Sequence, residues 1–303
     1  MIRNAWWKRF LVRGVFWRQF LRWAVLNVPL FIEPIVEASW TLFFLLWGPG
    51  RRGVMRNLTA IKPGSSALVN FLRTYRVFWN FAWTITDTVR FKELHVIPDW
   101  EFTGWEHFKE MESRPEGAII LTAHMGSYDL GVHLFAEMSE RRIMMIRAPE
   151  RDERTREYEA AMHERTLGQG LRINFNTKAA ELAFELLEAV NAGKIVAIQG
   201  DRVTEGIGSF PAKLFGKPTL IPSGPFALAM AARVRIYPLF VVRLGRRRYR
   251  LITCPPIEVV RRSRNRDEDL AIAVAAWTER LEQVIRETWY QWFTFEPFAE
   301  DLA

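Results

Sequence analysis

A histidine and a carboxylate stand five residues apart in the segment 121–129, where His124 follows an apolar run and Asp129 closes the motif. An imidazole can take a proton from a hydroxyl group, and a neighbouring carboxylate can fix its tautomer and stabilise the imidazolium that forms. The pair could therefore activate a hydroxyl for attack on an acyl thioester, with no covalent enzyme intermediate. The alternative is that His124 is a hydrogen-bonded structural histidine beside a helix-capping Asp129.

A second pair, His107 and Glu112, has the same spacing, so spacing alone does not identify a site. This second pair lies in a polar stretch that predicts a helix. Residues five apart on a helix point about 140° away from each other, so the two side chains cannot meet without a break in the helix. The context therefore favours the first pair as the catalytic candidates.

The first pair lies where the chain is predicted to turn from a strand into a helix. Gly126 can adopt the backbone angles of a sharp turn, and Ser127 can cap the helix that follows. Asp129 then falls in the first turn of that helix. From there we expect its carboxylate to fold back to the imidazole of His124.

Beyond residue 117, short apolar runs alternate with helical stretches. Strands are predicted at residues 118–123, 142–146, 171–175, 195–199 and 236–243, and helices near 127–139, 152–168, 177–191 and 223–232. The alternation predicts an α/β fold with a largely parallel sheet flanked by helices. The turn at 245–247 is expected to join two antiparallel strands, and further helices are predicted at 66–91 and 266–288.

Three charged residues follow the predicted strands: Arg147 ends one, and Asp201 and Arg202 end another. Ligands of open α/β sheets bind outside the carboxyl ends of the strands, where these residues and His124 would converge. A guanidinium there can hold a phosphate through paired hydrogen bonds. The two arginines are therefore predicted substrate contacts, with solvated or salt-bridged arginines as the alternative. Asp201 is expected either to bind substrate or to orient an arginine.

The net charge of +8 predicts acidic partners, which could be nucleic acid, anionic lipid headgroups or an acidic carrier protein. Basic runs at 246–248 and 261–266 occur without any zinc-finger, homeodomain or RNA-recognition signature, so nucleic acid is disfavoured. The chain has no G-x-S-x-G motif, which argues against a serine hydrolase of the α/β-hydrolase kind. Its single cysteine, Cys254, excludes an intrachain disulfide and fits a cytosol-facing location.

The first fifty residues interleave basic and aromatic side chains. Residues 1–32 contain no acid, and their basic residues and tryptophans are Arg3, Lys8, Arg9, Arg13, Arg18, Arg22, Trp6, Trp7, Trp17 and Trp23. The apolar stretches at 23–32 and 38–47 are interrupted by Glu33, Pro34 and Glu37, whereas a spanning helix needs roughly 20 mostly apolar residues. We expect residues 1–50 to form a monotopic helical anchor, with a single span or a helical cap on the enzyme as alternatives.

A turn-rich, basic segment at residues 48–53 is the predicted boundary between this anchor and a catalytic domain at 51–303. Glycine and proline are the residues that most often interrupt helices and strands. The chain is therefore expected to consist of one catalytic domain and one N-terminal attachment segment.

Several motifs, taken in order, resemble the lysophospholipid acyltransferase superfamily, and within it the lauroyl and myristoyl acyltransferases of lipid A biosynthesis. They are Gly104-Trp105-Glu106, residues 119–129, Ile146-Arg147-Ala148-Pro149, Gln199-Gly200-Asp201, Leu214-Phe215-Gly216-Lys217-Pro218 and Ser223-Gly224-Pro225-Phe226-Ala227. Residues 289–292, Trp-Tyr-Gln-Trp, resemble the aromatic C-terminal stretch of that family. The order and spacing of the set are more specific than any single motif.

The resemblance implies a membrane-bound enzyme that transfers an acyl group from acyl carrier protein or acyl-coenzyme A to a hydroxyl of an anionic lipid, such as a lipid A precursor. It implies His124 and Asp129 as the catalytic pair and no metal or organic cofactor. The substrate-binding residues predicted from the motifs and strand ends are Gly126, Arg147, Asp201, Arg202, Phe215 and Gly216.

The expected location is the cytoplasmic face of the inner membrane. Lipid A enzymes usually carry Glu where this chain has Asp129, whereas glycerolphosphate acyltransferases carry Asp. A lysophospholipid or another glycerolipid is therefore the alternative acceptor. A basic protein that binds membrane surfaces without catalysis is the non-enzymatic alternative.

Overall fold

The computed structural model describes residues 15–46, 48–147, 171–175, 179–203 and 206–299. Its main sheet has seven strands: β1 Asp99–Thr103, β2 Ala118–Thr122, β3 Ile143–Arg147, β4 Leu171–Phe175, β5 Ile195–Gln199, β8 Ile236–Gly245 and β9 Arg248–Thr253. Their order across the sheet is β1-β9-β8-β2-β5-β3-β4, and every neighbouring pair is parallel except β8 and β9. A separate antiparallel hairpin consists of β6 Ser209–Leu214 and β7 Lys217–Pro222.

Helices flank this sheet and precede it. The N-terminal helices are α1 Val15–Asn27, α2 Glu33–Leu46, α3 Gly48–Ile61 and α4 Ala67–Leu94. The remaining described helices are α5 Trp105–Ser113, α6 Tyr128–Met138, α7 Ala179–Asn191, α8 Gly224–Ala232 and α9 Arg266–Thr288, followed by a 3-10 turn at Trp289–Gln291. The mixed α/β class with a mostly parallel central sheet is confirmed. The helix predicted at 152–168 lies outside the described residues.

The core has two layers, one on each face of the sheet, because consecutive side chains of a strand point to opposite faces. On β2, Ile119 and Leu121 pack in the cluster beneath α8 and α9, which includes the fully buried Trp277. Ile120 packs on the other face, in the cluster beneath α5 and α6 with Phe135. Both layers hold β2 in place, and β2 leads directly to His124.

The predicted turn at residues 48–53 is wrong, because these residues begin α3. Pro49 occupies the first turn of the helix, where the missing N–H has no helical partner to lose. Gly53 permits close packing: a Cβ there would lie 2.0 Å from the carbonyl oxygen of Phe295. These residues therefore serve the contact between α3 and the C-terminal segment. The division of the chain at residue 50 stays a prediction.

Buried charges attach the N-terminal helices to the main sheet. Glu33 of α2 pairs with Arg90 of α4 at 2.6 Å and with Arg246 at the tip of the β8–β9 hairpin. Asp87 of α4 accepts a hydrogen bond from the buried Tyr249 hydroxyl of β9 at 2.9 Å. These ion pairs and this hydrogen bond therefore link α2, α4 and the β8–β9 hairpin.

The outer surfaces of α1 and α2, with the loop between them, carry many exposed large apolar side chains: Phe16, Phe20, Trp23, Leu26, Leu30, Phe31, Ile35, Leu42, Phe43 and Leu46. Contiguous apolar surface of this kind marks interaction sites with proteins or membranes. Among the helices that the structure describes, none has an apolar stretch long enough to span a bilayer.

Candidate active site

His124 lies just beyond the carboxyl end of β2, in the turn that connects this strand to α6. Gly126 has a φ of +52°, and a Cβ on it would lie 2.0 Å from the carbonyl oxygen of Val241 on β8. Only glycine fits this close approach and this left-handed backbone. Ser127 then caps α6, its hydroxyl accepting the backbone N–H of Leu130 at 3.4 Å. The sharp turn and the cap predicted from the sequence are confirmed.

The imidazole of His124 is hydrogen-bonded to Asp201, which follows β5. The distance between His124 Nδ1 and Asp201 Oδ1 is 2.7 Å. The second carboxylate oxygen, Oδ2, accepts the backbone N–H of His124 at 3.1 Å and the indole N–H of Trp292 at 2.9 Å. The Asp201 side chain is fully buried, whereas about a quarter of the His124 side chain is exposed. The Nδ1 side of the imidazole is therefore fixed by Asp201, and another part of the side chain remains accessible.

Burial alone would raise the pKa of Asp201. The charge and hydrogen bond of His124, the charge of Arg202 and the hydrogen bond from Trp292 outweigh it and hold this pKa well below its usual value. The carboxylate is thus ionised at neutral pH and accepts a hydrogen bond from Nδ1–H of His124. This places the unprotonated lone pair of a neutral imidazole on Nε2, where it can accept a proton.

The expected contact between His124 and Asp129 is wrong, because within the described residues the imidazole bonds to Asp201 and the Asp129 carboxylate to Lys92. Asp129 Oδ2 accepts a hydrogen bond from Lys92 Nζ at 2.9 Å. The reason is that α4 packs beside α6 and brings Lys92 to the first turn of α6, on which Asp129 lies. Asp201, at the end of the neighbouring strand β5, occupies the position next to the imidazole. A catalytic role for Asp129 stays a prediction.

The second histidine pair does not meet, as expected for residues five apart on a helix. His107 and Glu112 both lie on α5. The Glu112 carboxylate accepts a hydrogen bond from the Ser139 hydroxyl at 2.8 Å, while the nearest acid to the His107 ring is Glu106 at 3.8 Å.

A largely apolar cavity of about 460 Å³ opens beside His124. Its apolar lining includes Ile146, Leu182, Phe184, Leu186, Leu187, Ile198, Pro222, Pro225, Ala227, Leu228 and Ala231. Because α7 and α8 both begin near the carboxyl edge of the sheet and run towards the amino edge, Leu187 and Ala231 lie at the far end of the cavity. The cavity therefore extends between the two helices, away from the imidazole.

Two predicted substrate contacts lie at strand ends on this edge of the sheet. Arg202 is exposed and lines the cavity, and its side chain forms no ion pair within the described ranges. Arg147 ends β3, and its side chain lies outside the described residues.

Phe215 and Gly216 form the tip of the β6–β7 hairpin, with φ values of 52° and 74°. The Phe215 N–H donates to the Glu282 carboxylate of α9 at 2.5 Å, and the Arg286 guanidinium lies 5.1 Å from the centre of its ring. Neither residue is among those that line the described cavity. The structure thus places this motif against α9 and does not bring it to His124.

The sequence motifs did not assign a role to the C-terminal segment 291–293, which contacts the turn that carries His124 directly. The backbone carbonyl of Gln291 accepts the N–H of Gly126 at 3.2 Å, and the N–H of Phe293 donates to the carbonyl of His124 at 2.8 Å. Met125 and Trp292 form an antiparallel bridge between these two bonds. The only signal in the sequence was the Trp-Tyr-Gln-Trp stretch, and its residue types do not predict which part of the chain it contacts.

The sequence model of a family described as bacterial lipid A biosynthesis acyltransferase matches residues 16–297 of the chain. The match spans α1 to the C-terminal segment and includes His124, Asp201 and Trp292. It confirms the resemblance found in the sequence motifs. No curated protein matches the chain.

Proposed function

We propose that this chain, which belongs to the bacterial lipid A biosynthesis acyltransferase family and is an acyltransferase, uses His124 as a general base to move a fatty acyl group from a thioester to a lipid hydroxyl. The observation that carries the proposal is the imidazole of His124, held by the buried Asp201 carboxylate at the opening of an apolar cavity. Asp201 thus takes the orienting role that the sequence motif suggested for Asp129.

In the proposed step, Nε2 of His124 accepts the proton of the acceptor hydroxyl while the hydroxyl oxygen attacks the thioester carbonyl carbon. The tetrahedral intermediate collapses by breaking the carbon–sulfur bond. The imidazolium then returns its proton to the departing thiolate, so the products are an ester and a free thiol. Asp201 remains ionised throughout and stabilises the imidazolium.

The apolar cavity is the proposed site of the acyl chain. Its volume lies within the range of ordinary small-molecule pockets, and its opening lies beside His124. Burying each methylene group from water contributes about 0.8 kcal/mol, so the cavity can hold a saturated chain without any specific polar contact. The thioester carbon would then lie near the imidazole, with the leaving sulfur towards the exposed Arg202.

Arg202 and Arg147 are the proposed contacts for anionic groups of the substrates. Coenzyme A and the prosthetic group of acyl carrier protein both carry phosphate, and so does a phosphorylated lipid acceptor. A guanidinium at a strand end beside His124 can hold such a group by charge and paired hydrogen bonds. A lipid A precursor is the proposed acceptor, because the description of the family names lipid A biosynthesis. A glycerolipid is the second candidate, favoured by Asp129 in place of Glu.

We also propose that the protein works at the cytoplasmic face of the inner membrane and attaches through α1 and α2. Their exposed apolar side chains and the net charge of +8 support this, since such a surface fits a bilayer with anionic headgroups.

The test uses the full-length protein with acyl carrier protein thioester or acyl-coenzyme A, with and without a lipid acceptor. We expect thiol release that depends on the acceptor, and a product whose mass equals that of the acceptor plus the fatty acid less water. Thiol release without acceptor would indicate a thioesterase, and no release with either donor would contradict the proposal. Comparing phosphorylated disaccharide lipids with lysophospholipids separates the two acceptor classes.

A further inference from the structure

We infer that Trp292 is a positioning residue for the transfer reaction, and that its indole N–H fixes the Asp201 carboxylate in the orientation that holds His124. The inference rests on the proposed function, in which His124 is the general base. Trp292 is 3% exposed, and its Nε1 lies 2.9 Å from Asp201 Oδ2. It is not among the residues that line the described cavity, so its effect on substrate would pass through Asp201.

The partners of the Asp201 carboxylate show why this indole matters. Of its three hydrogen bonds among the described residues, two come from His124 itself, through Nδ1 and the backbone N–H. The bond from Trp292 is the one that ties the carboxylate to a residue other than the histidine it orients. Because the carboxylate is fully buried, water cannot take the place of a lost donor.

The backbone around Trp292 is itself bonded to the turn that carries His124. The backbone bonds on either side of the Met125–Trp292 bridge join the C-terminal segment to the turn. The buried Gln291 side chain anchors the same segment to β8, accepting the N–H of Arg243 at 2.5 Å and donating to its carbonyl at 2.7 Å. His124, Asp201 and Trp292 are therefore joined in a closed ring, by two side-chain hydrogen bonds and by the backbone bridge between the turn and the C-terminal segment.

Loss of the indole N–H should affect the chemical step more than binding. The carboxylate would keep its charge but lose its fixed orientation, so the imidazole would spend less time in the productive geometry. Because the lost hydrogen bond is one to a charged group, we expect kcat to fall by at least about tenfold. The KM for both substrates should be unchanged.

The experiment compares Trp292→Phe with the matched control Trp277→Phe in the full-length protein. Trp277 is also buried, and its indole donates to the neutral carbonyl of Gly200, the residue before Asp201. We expect the lower kcat in Trp292→Phe and a change of less than about threefold in the control. The acid limb of the pH–rate profile should move to higher pH only in Trp292→Phe, because a carboxylate with one donor fewer favours the protonated imidazole more strongly.

Two further variants keep the inference testable if phenylalanine disturbs folding. Replacing Trp292 by benzothienylalanine keeps the bicyclic shape and removes the N–H, and it should reproduce the kinetic change. Adding Trp292→Phe to Asp201→Asn should cost little further activity if Trp292 acts through Asp201.

An active parent enzyme whose kcat and pH profile do not respond to either Trp292 replacement would overturn this inference alone. So would a loss that is equally large with and without Asp201→Asn. A parent enzyme that transfers no acyl group would instead overturn the proposed function, and this inference with it.

Discussion

The turn that carries His124 and the N-terminal helices α1 and α2 differ in what covers them. In the turn, Gly126 packs against β8, His124 is fixed through side chain and backbone, and the C-terminal segment bridges the strand side of the turn. On α1, α2 and the loop between them, large apolar side chains face outward, with Phe31 80% and Leu46 79% exposed. The turn packs against other parts of the chain, whereas the helices leave an apolar surface exposed.

This difference fits the two requirements of an acyltransferase that acts on lipids. Proton transfer needs an imidazole held within a few tenths of an ångström, which buried hydrogen bonds provide. Binding to a bilayer needs apolar area with little directional constraint, which exposed aromatic and aliphatic side chains provide. Glu33, Arg90 and Asp87 join α2 to α4 and α4 to β9, the strand beside the β8 on which Gly126 packs.

The largest expected effect is in the turn. His124→Ala should lower kcat by about 10² to 10⁴-fold, because the imidazole acts chemically. It should lower the unfolding temperature without unfolding the protein, because the buried Asp201 carboxylate loses one donor while the backbone bonds of the turn remain. Steady-state transfer assays and thermal unfolding measure both. His107→Ala on α5 is the matched control and should retain parental activity. Full activity of His124→Ala would show that the turn is structural only.

Replacing each carboxylate by an amide tests which of the two acids supports His124. Asp201→Asn should lower kcat by at least about a hundredfold, because an amide cannot stabilise the imidazolium and can favour the wrong tautomer. Asp129→Asn should have a smaller effect, since its carboxylate bonds to Lys92. Both are read from kcat at saturating donor and acceptor. The reverse order of the two losses would restore Asp129 as the catalytic partner.

The strands that position the site could be predicted from the sequence, because buried parallel strands appear as short apolar runs. β1 and the β6–β7 hairpin were not predicted, since polar residues alternate through them and their burial depends on neighbours distant in sequence. The turn at Gly126 was predicted because glycine and a capping serine are local signals.

The contacts around His124 could be predicted only in part. The strand-end argument placed Asp201 at the correct edge of the sheet, but the spacing argument assigned the imidazole to Asp129, the nearer acid in sequence. Asp201 lies 77 residues from His124, and Trp292 lies 91 residues from Asp201. Such pairings are set by how strands and the C-terminal segment pack, which local spacing does not encode.

At the junction between the two regions, burial raises the pKa of Glu37 on α2 from 4.5 to about 7. Because the folded protein favours the protonated acid, this group does not lower the free energy of unfolding below about pH 4.5, where it is mainly protonated in both states. The cost grows as pH rises and is complete above about pH 7, where it reaches about 3 kcal/mol. Glu37→Gln should therefore raise the unfolding temperature at pH 8 and change it little at pH 4.5. Exposed Glu106→Gln is the control, and equal responses at both pH values would contradict this account.

The smallest expected effect concerns the apolar surface, tested by Phe31→Ser combined with Ile35→Ser. Both side chains are mostly exposed, at 80% and 65%, so their loss leaves the core and the catalytic turn intact. If they insert into lipid, partitioning onto vesicles of phosphatidylethanolamine and phosphatidylglycerol should fall by roughly tenfold or more, since even one large apolar side chain that is fully buried contributes about 1.5 kcal/mol. Vesicle sedimentation at low and high salt measures this and separates insertion from charge attraction, which salt screens.

The control is Ile272→Ser, a similarly exposed change on α9, which should leave partitioning unaltered. Transfer to a short-chain soluble acceptor should be unchanged in both variants. Equal loss of partitioning in the two, or a parent protein that stays wholly in solution at low salt, would show that the exposed helices do not bind the bilayer.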